Sequence, residues 1–236
     1  LLDASKNSGF AGLDMNSVDF TFGGFFSIGT LSYAWAKLYR KSFLDSNKIE
    51  FGDYRYAEDK IYNYFCYIAG ARYAFIDKKI YVYRRNEQSV SNTYRKDGDK
   101  DWMRIAQDLQ DKIDSLNYEK KQYSQDEIEN YESIVAWTIY FAAFFDGKME
   151  YEYSTGKISA VINLLKRYAS YDLTKKYLKN PLRYTKKIPA LSYKIMLGGF
   201  AFLMKCNMYL LLSLGIKLLV DCHIDERLSD TGRKED

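Results

Sequence analysis

Two adjacent acids, Glu58 and Asp59, open a stretch in which the apolar residues Ile61, Tyr64, Phe65, Ile68 and Ala69 recur with helical spacing. In the first turn of a helix the dipole and the free backbone N–H groups favour a negative charge, so Asp59 is an available proton acceptor at neutral pH. Glu58 is turned roughly 100° from it and faces a different partner. Further on, Arg84 and Arg85 follow a run of aromatic and β-branched residues, a position from which a guanidinium can hold phosphate oxygens bidentately. Neighbouring strand residues face opposite ways, so at most one of this pair points into a cleft. Trp35 and Tyr39 are read as sharing one helical face, where an aromatic ring stacks on a sugar or packs in a core. Each feature alone also has an ordinary explanation: acids complement helix dipoles, arginines solvate strand ends, and aromatic pairs fill cores.

These side chains must be positioned by the elements around them. Residues 34–44 carry a short amphipathic pattern, and 47–56 read as a polar loop with Ile49 and Phe51 embedded. The helix that begins at Glu58 is expected to end near Gly70. Two short runs, 73–76 and 80–83, are rich in aromatic and β-branched residues and read as strands or one broken strand. A weaker strand-like alternation occupies 18–22, followed by a Gly23-Gly24 loop. Beyond a charged connection at 96–101, helical patterns take over at 102–116, 126–145 and 157–168. The fold class expected is therefore α/β for the first hundred residues, followed by a mainly α-helical region.

Composition narrows the chemistry. A chain of 236 residues, 47% hydrophobic and 17% aromatic, can bury a substantial core, and only two prolines argue against long linkers. Cys66, Cys206 and Cys222 are too few and too dispersed for a disulfide framework or a zinc site, so a reducing cytosolic setting is expected. His223 is the one histidine and has no Ser or Cys motif around it, which leaves little support for imidazole-based nucleophilic catalysis. The start at Leu1 has no signal-peptide pattern and reads as a fragment.

Charge is segregated along the chain. Between Leu164 and Lys217 there are eleven Lys and Arg against one acid, Asp172, a net of +10 that leaves −6 for the rest of a chain carrying +4. That asymmetry points to an anionic partner surface. Within the same segment lie two uncharged runs, 195–204 and 206–216, interrupted by Lys205. A spanning helix needs roughly 20 apolar residues and a central Lys costs about 3 kcal/mol, so two in-plane helices suit these runs better than a span. Pro189 is well placed for a helix start, and Lys194 and Lys205 fall on nearly the same helical face. The competing readings are buried helices and a true span. Nucleic acid is disfavoured as the partner because no helix-turn-helix, RNP or glycine-clamp signature is present.

Three motifs in order give a resemblance. Trp35-Ala36-Lys37-Leu38-Tyr39-Arg40, then Glu58-Asp59 at a helix start, then Ile80-Tyr81-Val82-Tyr83-Arg84-Arg85 ending in Ser89-Val90-Ser91 resemble the second half of bacterial family-two glycosyltransferases. The match covers about a quarter of the chain. It implies a GT-A fold, of which 1–95 would be the acceptor-side half, and inverting transfer of a sugar from a nucleotide-sugar donor to a glycan or lipid-linked acceptor. Asp59 would be the general base, Glu58 and Trp35 acceptor-binding, and Arg84 or Arg85 would stabilise the diphosphate or order the loop over it. A divalent metal, Mg or Mn, is implied as cofactor.

One departure is large. In the family a nucleotide-binding half with a D-x-D metal motif precedes the tryptophan by many tens of residues, and neither Asp3, Asp14 nor Asp19 forms such a motif. Metal ligands are therefore expected to lie outside this chain, which should be a catalytically incomplete piece. The organisation expected is 1–95 as above, a helical extension over 96–187, apolar membrane-interfacial helices over 188–222, and a charged tail over 223–236. The location expected is cytoplasmic, peripheral on the inner face of the cell membrane. The competing function is a non-catalytic helical module that docks on membranes or proteins.

Overall fold

The computed structural model describes residues 33–55, 57–73, 81–82, 93–116, 123–186, 188 and 191–222. The chain divides into two compact units, one running through Asn92 and the other beginning at Thr93.

In the first unit, α1 (Lys41–Asn47) and α2 (Glu58–Ile68) are the described elements. The helix anticipated over 34–44 does not form as such. Ala36 adopts φ +57°, a left-handed conformation that an ordinary helix does not tolerate, and Arg40 is still extended. Trp35 and Tyr39 consequently do not share a helical face. Helix α2 starts where the two acids predicted it, behind Ala57 at φ +59°, and gives way to Gly70 at φ +83°. Its buried side, Tyr62 and Cys66 with Ile49, packs Tyr39, Phe43, Leu44 and Phe65 into a small core.

The α/β architecture expected for the first hundred residues is overturned. Of the described residues 71% are helical and none lies in a strand, so the partial GT-A sheet is absent among them. Of the two runs expected as strands, only Tyr73, Tyr81 and Val82 are described, and none has strand geometry. Aromatic and β-branched residues make a strand only where a ladder neighbour and a buried face exist. Tyr81 instead lays its ring against Trp35, and Val82 is 70% exposed.

The second unit is a helical assembly around α4 (Gln125–Tyr153), with α3 (Gly98–Asp114), α5 (Ile158–Ser170), α6 (Asp172–Leu178), α7 (Pro181–Thr185), α8 (Leu191–Lys205) and α9 (Tyr209–Asp221). Helix α4 spans 29 residues, about 43 Å, and contacts α3, α5, α6, α7, α8 and α9. A helix touched on every side buries residues all round, which is why Ile134, Val135, Ala136, Trp137, Ile139 and Tyr140 are all covered. Its start is fixed by a capping box: Ser124 Oγ accepts from the Glu127 N–H at 3.1 Å, and the Ser124 N–H donates to Glu127 Oε2 at 2.8 Å. The helix runs well past the polar stretch at Asp146-Gly147-Lys148. Gly147 leaves room for Ile216 of α9, and Asp146 accepts from the Tyr168 hydroxyl at 2.5 Å.

The abundance of tyrosine acquires a structural meaning here. Each ring fills apolar space while its hydroxyl ties one helix to another. Tyr140 donates to the Tyr177 carbonyl at 2.8 Å, Tyr177 to Gln110 Oε1 at 2.6 Å, and Tyr171 to Asp99 Oδ2 at 3.0 Å. The Trp137 indole donates to the Tyr184 carbonyl at 2.7 Å. The two apolar runs became α8 and α9, joined at Cys206-Asn207-Met208. No helix among the described residues is long and apolar enough to cross a membrane. Pro189, expected to start the first of them, lies outside the described residues, as does His223.

Candidate functional site

The first unit gathers the predicted residues around the start of α2. Asp59 is half-buried and Glu58 exposed, which separates them as the 100° step requires. Asn63, one turn on, is buried and bridges two motifs: its Nδ2 donates to the Asp59 carbonyl at 2.7 Å, and its Oδ1 accepts from the Tyr39 hydroxyl at 3.0 Å. Tyr39 also meets Tyr62 edge-on, with ring centroids 5.1 Å apart, and burial pushes its phenol well above the usual range. Tyr62 in turn stacks on Phe51 at 4.0 Å. The backbone that carries Asp59 is thereby held from the Tyr39 side by hydrogen bonds and ring packing.

Lys37, two residues before Tyr39, is governed first by burial and second by the charge of Asp59. Burial pulls its ammonium down to about 8, and the Asp59 charge acts in the opposite direction. Its Nζ donates to the Tyr33 carbonyl. Lys60, next to Asp59, is also held below the ordinary lysine value by burial.

Trp35 is flanked by two tyrosines. Tyr33 stacks on it with centroids 5.0 Å apart and planes at 21°, and Tyr81 at 4.9 Å and 17°. The Trp35 ring is committed to this stack, and the rings with more solvent exposure are Tyr33 and Tyr81. The aromatic surface that sequence spacing assigned to Trp35 is thus largely presented by its neighbours. Arg84 and Arg85 lie outside the described residues.

Lys37, Asn63, Tyr33 and Tyr81 were not singled out from the sequence. Asn63 had a signal: a polar side chain on the apolar side of a helix, four residues after Asp59. Tyr33 had none, because its stacking on Trp35 is set by the local backbone over 33–35 and not by any sequence periodicity.

Among the described residues no group of three or more His, Cys, Asp or Glu could hold a metal ion. The described residues therefore supply no site for the divalent metal that the resemblance implies, and no step is routed through it. The cysteines are free thiols, Cys66 buried and Cys206 and Cys222 exposed.

The second unit has its own polar cluster, between α3, α4 and α5. Asp99 is 2% exposed, receives the Tyr171 hydroxyl, and pairs with Arg167 at 3.5 Å. Asp146 is pushed up to about 6 by burial and by the Asp99 charge, while the Tyr168 and Trp102 hydrogen bonds and Arg167 pull it down. Two open concavities of about 330 and 480 Å³ lie beside this cluster, along Lys100, Arg167 and Tyr171, and not at Asp59. Asp99, with Arg167 and Tyr171, ties helices together there, while Lys100, Arg104 and Asp172 pair within their own helices. No protein-family model, curated protein or solved structure matches this chain.

Proposed function

We propose that this chain is part of an inverting glycosyltransferase that moves a sugar from a nucleotide-sugar donor to a glycan or lipid-linked acceptor, with Asp59 as general base. The observation that carries the reading is the convergence of three sequence-distant motifs. Trp35 of the first stacks on Tyr81 of the third, while Lys37 of the first answers to the charge of Asp59 in the second.

In this reading the Asp59 carboxylate takes the proton from an acceptor hydroxyl as that oxygen attacks the anomeric carbon and the diphosphate leaves. Lys37 stands as a local counter-charge, and the Asn63 bridge to Tyr39 fixes the backbone from which Asp59 projects. Glu58, exposed beside it, contacts the acceptor, and the Tyr33–Trp35–Tyr81 stack offers ring surface to a sugar. Arg84 or Arg85 is assigned to the diphosphate or to the loop over it. The metal expected from the family is not held by the residues described. The location that belongs to this reading is cytoplasmic and peripheral, on the inner face of the cell membrane.

The test is sugar transfer by the full-length protein across a panel of nucleotide sugars. Asp59→Asn should lower transfer by on the order of 10²- to 10⁴-fold while leaving nucleotide-sugar binding nearly unchanged. Transfer by that variant at near the wild-type rate rejects the role. A second reading, a non-catalytic docking module, is favoured by the exposed leucines of α9. It gains if no donor supports transfer by the wild-type protein.

A further inference from the structure

Helices α8 and α9 present an outward face without a partner. On α8, Leu191, Ile195, Gly199 and Phe202 are exposed at spacings of four, four and three, a single stripe along the helix. On α9, Leu210, Leu211, Leu214 and Leu218 form another, each between 45% and 59% exposed. The two helices pack on each other, and exposed Met208 lies in their connection. Inward, Leu197, Phe200, Ala201 and Met204 of α8 and Leu212 and Ile216 of α9 are buried, so the outer leucines are surplus to the core. Exposed apolar stripes on two adjoining helices of a polar protein call for an occupant.

The surrounding charge identifies it. From Leu173 to Val220 the chain has no acidic residue. Arg183 and Lys186 of this segment are neutralised by Glu129 and Glu132, and Lys217 by Asp221. Lys176, Lys179, Lys194 and Lys205 form no ion pair among the described residues. At 100° per residue, Lys194 and Lys205 lie on the same edge of the α8 stripe. Lys205 Nζ donates to the Lys179 carbonyl at 2.8 Å, which brings the end of α8 against the end of α6 and sets two cations at one rim. A second copy paired through this face would offer these lysines no carboxylate, because the segment that forms the face contains none. An anionic surface meets both the leucines and the lysines.

We infer that the α8–α9 face docks in the plane of an anionic phospholipid bilayer, with Ile195, Phe202, Leu210, Leu214 and Leu218 at the acyl boundary and Lys179, Lys194 and Lys205 at the headgroups. This rests on the peripheral location in the preceding reading and is independent of sugar transfer.

The experiment is flotation of the full-length protein with vesicles of phosphatidylcholine alone or with roughly one-third phosphatidylglycerol. An environment-sensitive fluorophore on exposed Cys206, in a Cys222→Ser background, reports immersion of the hairpin tip. Binding and a blue shift are expected only with phosphatidylglycerol, weakening as salt is raised. Substituting Lys179, Lys194 and Lys205 together with Gln should weaken partitioning on the order of 100-fold. Leu210→Ser, Leu214→Ser and Leu218→Ser combined should weaken it at least about 10-fold. Helix content measured by circular dichroism verifies that the leucine variant is folded, and the lysine variant, altered only at the surface, carries the test if it is not. The inference is overturned by absence of wild-type binding at low salt, by unchanged binding of the lysine variant, or by a dimer that the leucine substitutions dissociate with no vesicle binding. Docking without transfer would leave this inference standing and reject the enzyme reading; transfer without docking would do the reverse.

Discussion

Replacing Asp146 with Asn should stabilise the helical unit above about pH 6 and leave it nearly unchanged near pH 4. Asp146 sits in α4 beneath Tyr168, and burial together with the Asp99 charge raises its carboxyl from 3.8 to about 6. A folded-state value above the unfolded one means that folding favours the protonated acid. Its contribution is full below the unfolded value and is lost as pH rises through about 6. A shift of about two units corresponds to roughly 3 kcal/mol against the ionised form at pH 8. Asn is neutral at every pH and its carbonyl can accept from Tyr168 as Asp146 Oδ2 does at 2.5 Å. Asp146 is only partly buried, and solvent screening discounts the penalty on its ionised form to a net of about 1–2 kcal/mol. For a chain of this size that raises Tm by about 3–6 °C. Thermal unfolding followed by circular dichroism at pH 8 and pH 4 measures it. A variant less stable at pH 8, or one displaced equally at both pH values, refutes the reasoning.

Three further outcomes are expected. Lys37 should titrate near pH 8, and Asp59→Asn should lower it further by removing the charge that opposes burial; the pH dependence of reductive methylation, read by NMR, measures both, and a value near 10.5 contradicts the placement. Ser124→Ala removes one half of the capping box that starts α4 and should cost about 1 kcal/mol in urea unfolding; an unchanged midpoint would mean that the cap contributes nothing. A Cβ at Gly147 would meet Ile216 Cδ1 at 2.8 Å, so Gly147→Val should cost about 1–3 kcal/mol. The amides of α9 should lose hydrogen-exchange protection first, and uniform loss across α3 and α5 would argue against local crowding.

The helical unit was legible where periodicity and boundary chemistry agreed. The pattern at 102–116 became α3, although its start moved back to Gly98 because Asp99 is buried by Arg167 and Tyr171 rather than solvated in a linker. The end of α4 was misread at Phe145, since a polar triplet reads as a break unless the partners Tyr168 and Ile216 are known. Of the strands expected at 73–76 and 80–83, the described residues Tyr73, Tyr81 and Val82 lie in none, since strand propensity depends on neighbours supplied elsewhere in the chain. At the candidate site, the acids at the start of α2 were visible from the helix signature alone. The left-handed turns at Ala36 and Ala57 were not, because alanine carries no sequence signal for positive φ. Those turns lead into Lys37 on one side and into Glu58 and Asp59 on the other, so the placement of Lys37 and Tyr81 became apparent only in three dimensions, whereas Asn63 left a signal in the helix pattern.

The proposed role of Asp59, removing a proton in a single displacement, is tested most directly by the anomeric configuration of the transferred sugar. Proton NMR of the product formed from a nucleotide sugar of known configuration gives the answer from one coupling constant. Inversion at the anomeric carbon is predicted, because the acceptor oxygen attacks opposite the departing diphosphate with Asp59 as base. Retention would contradict the account, since it requires a covalent glycosyl intermediate or a same-face attack, neither of which the base role of Asp59 provides.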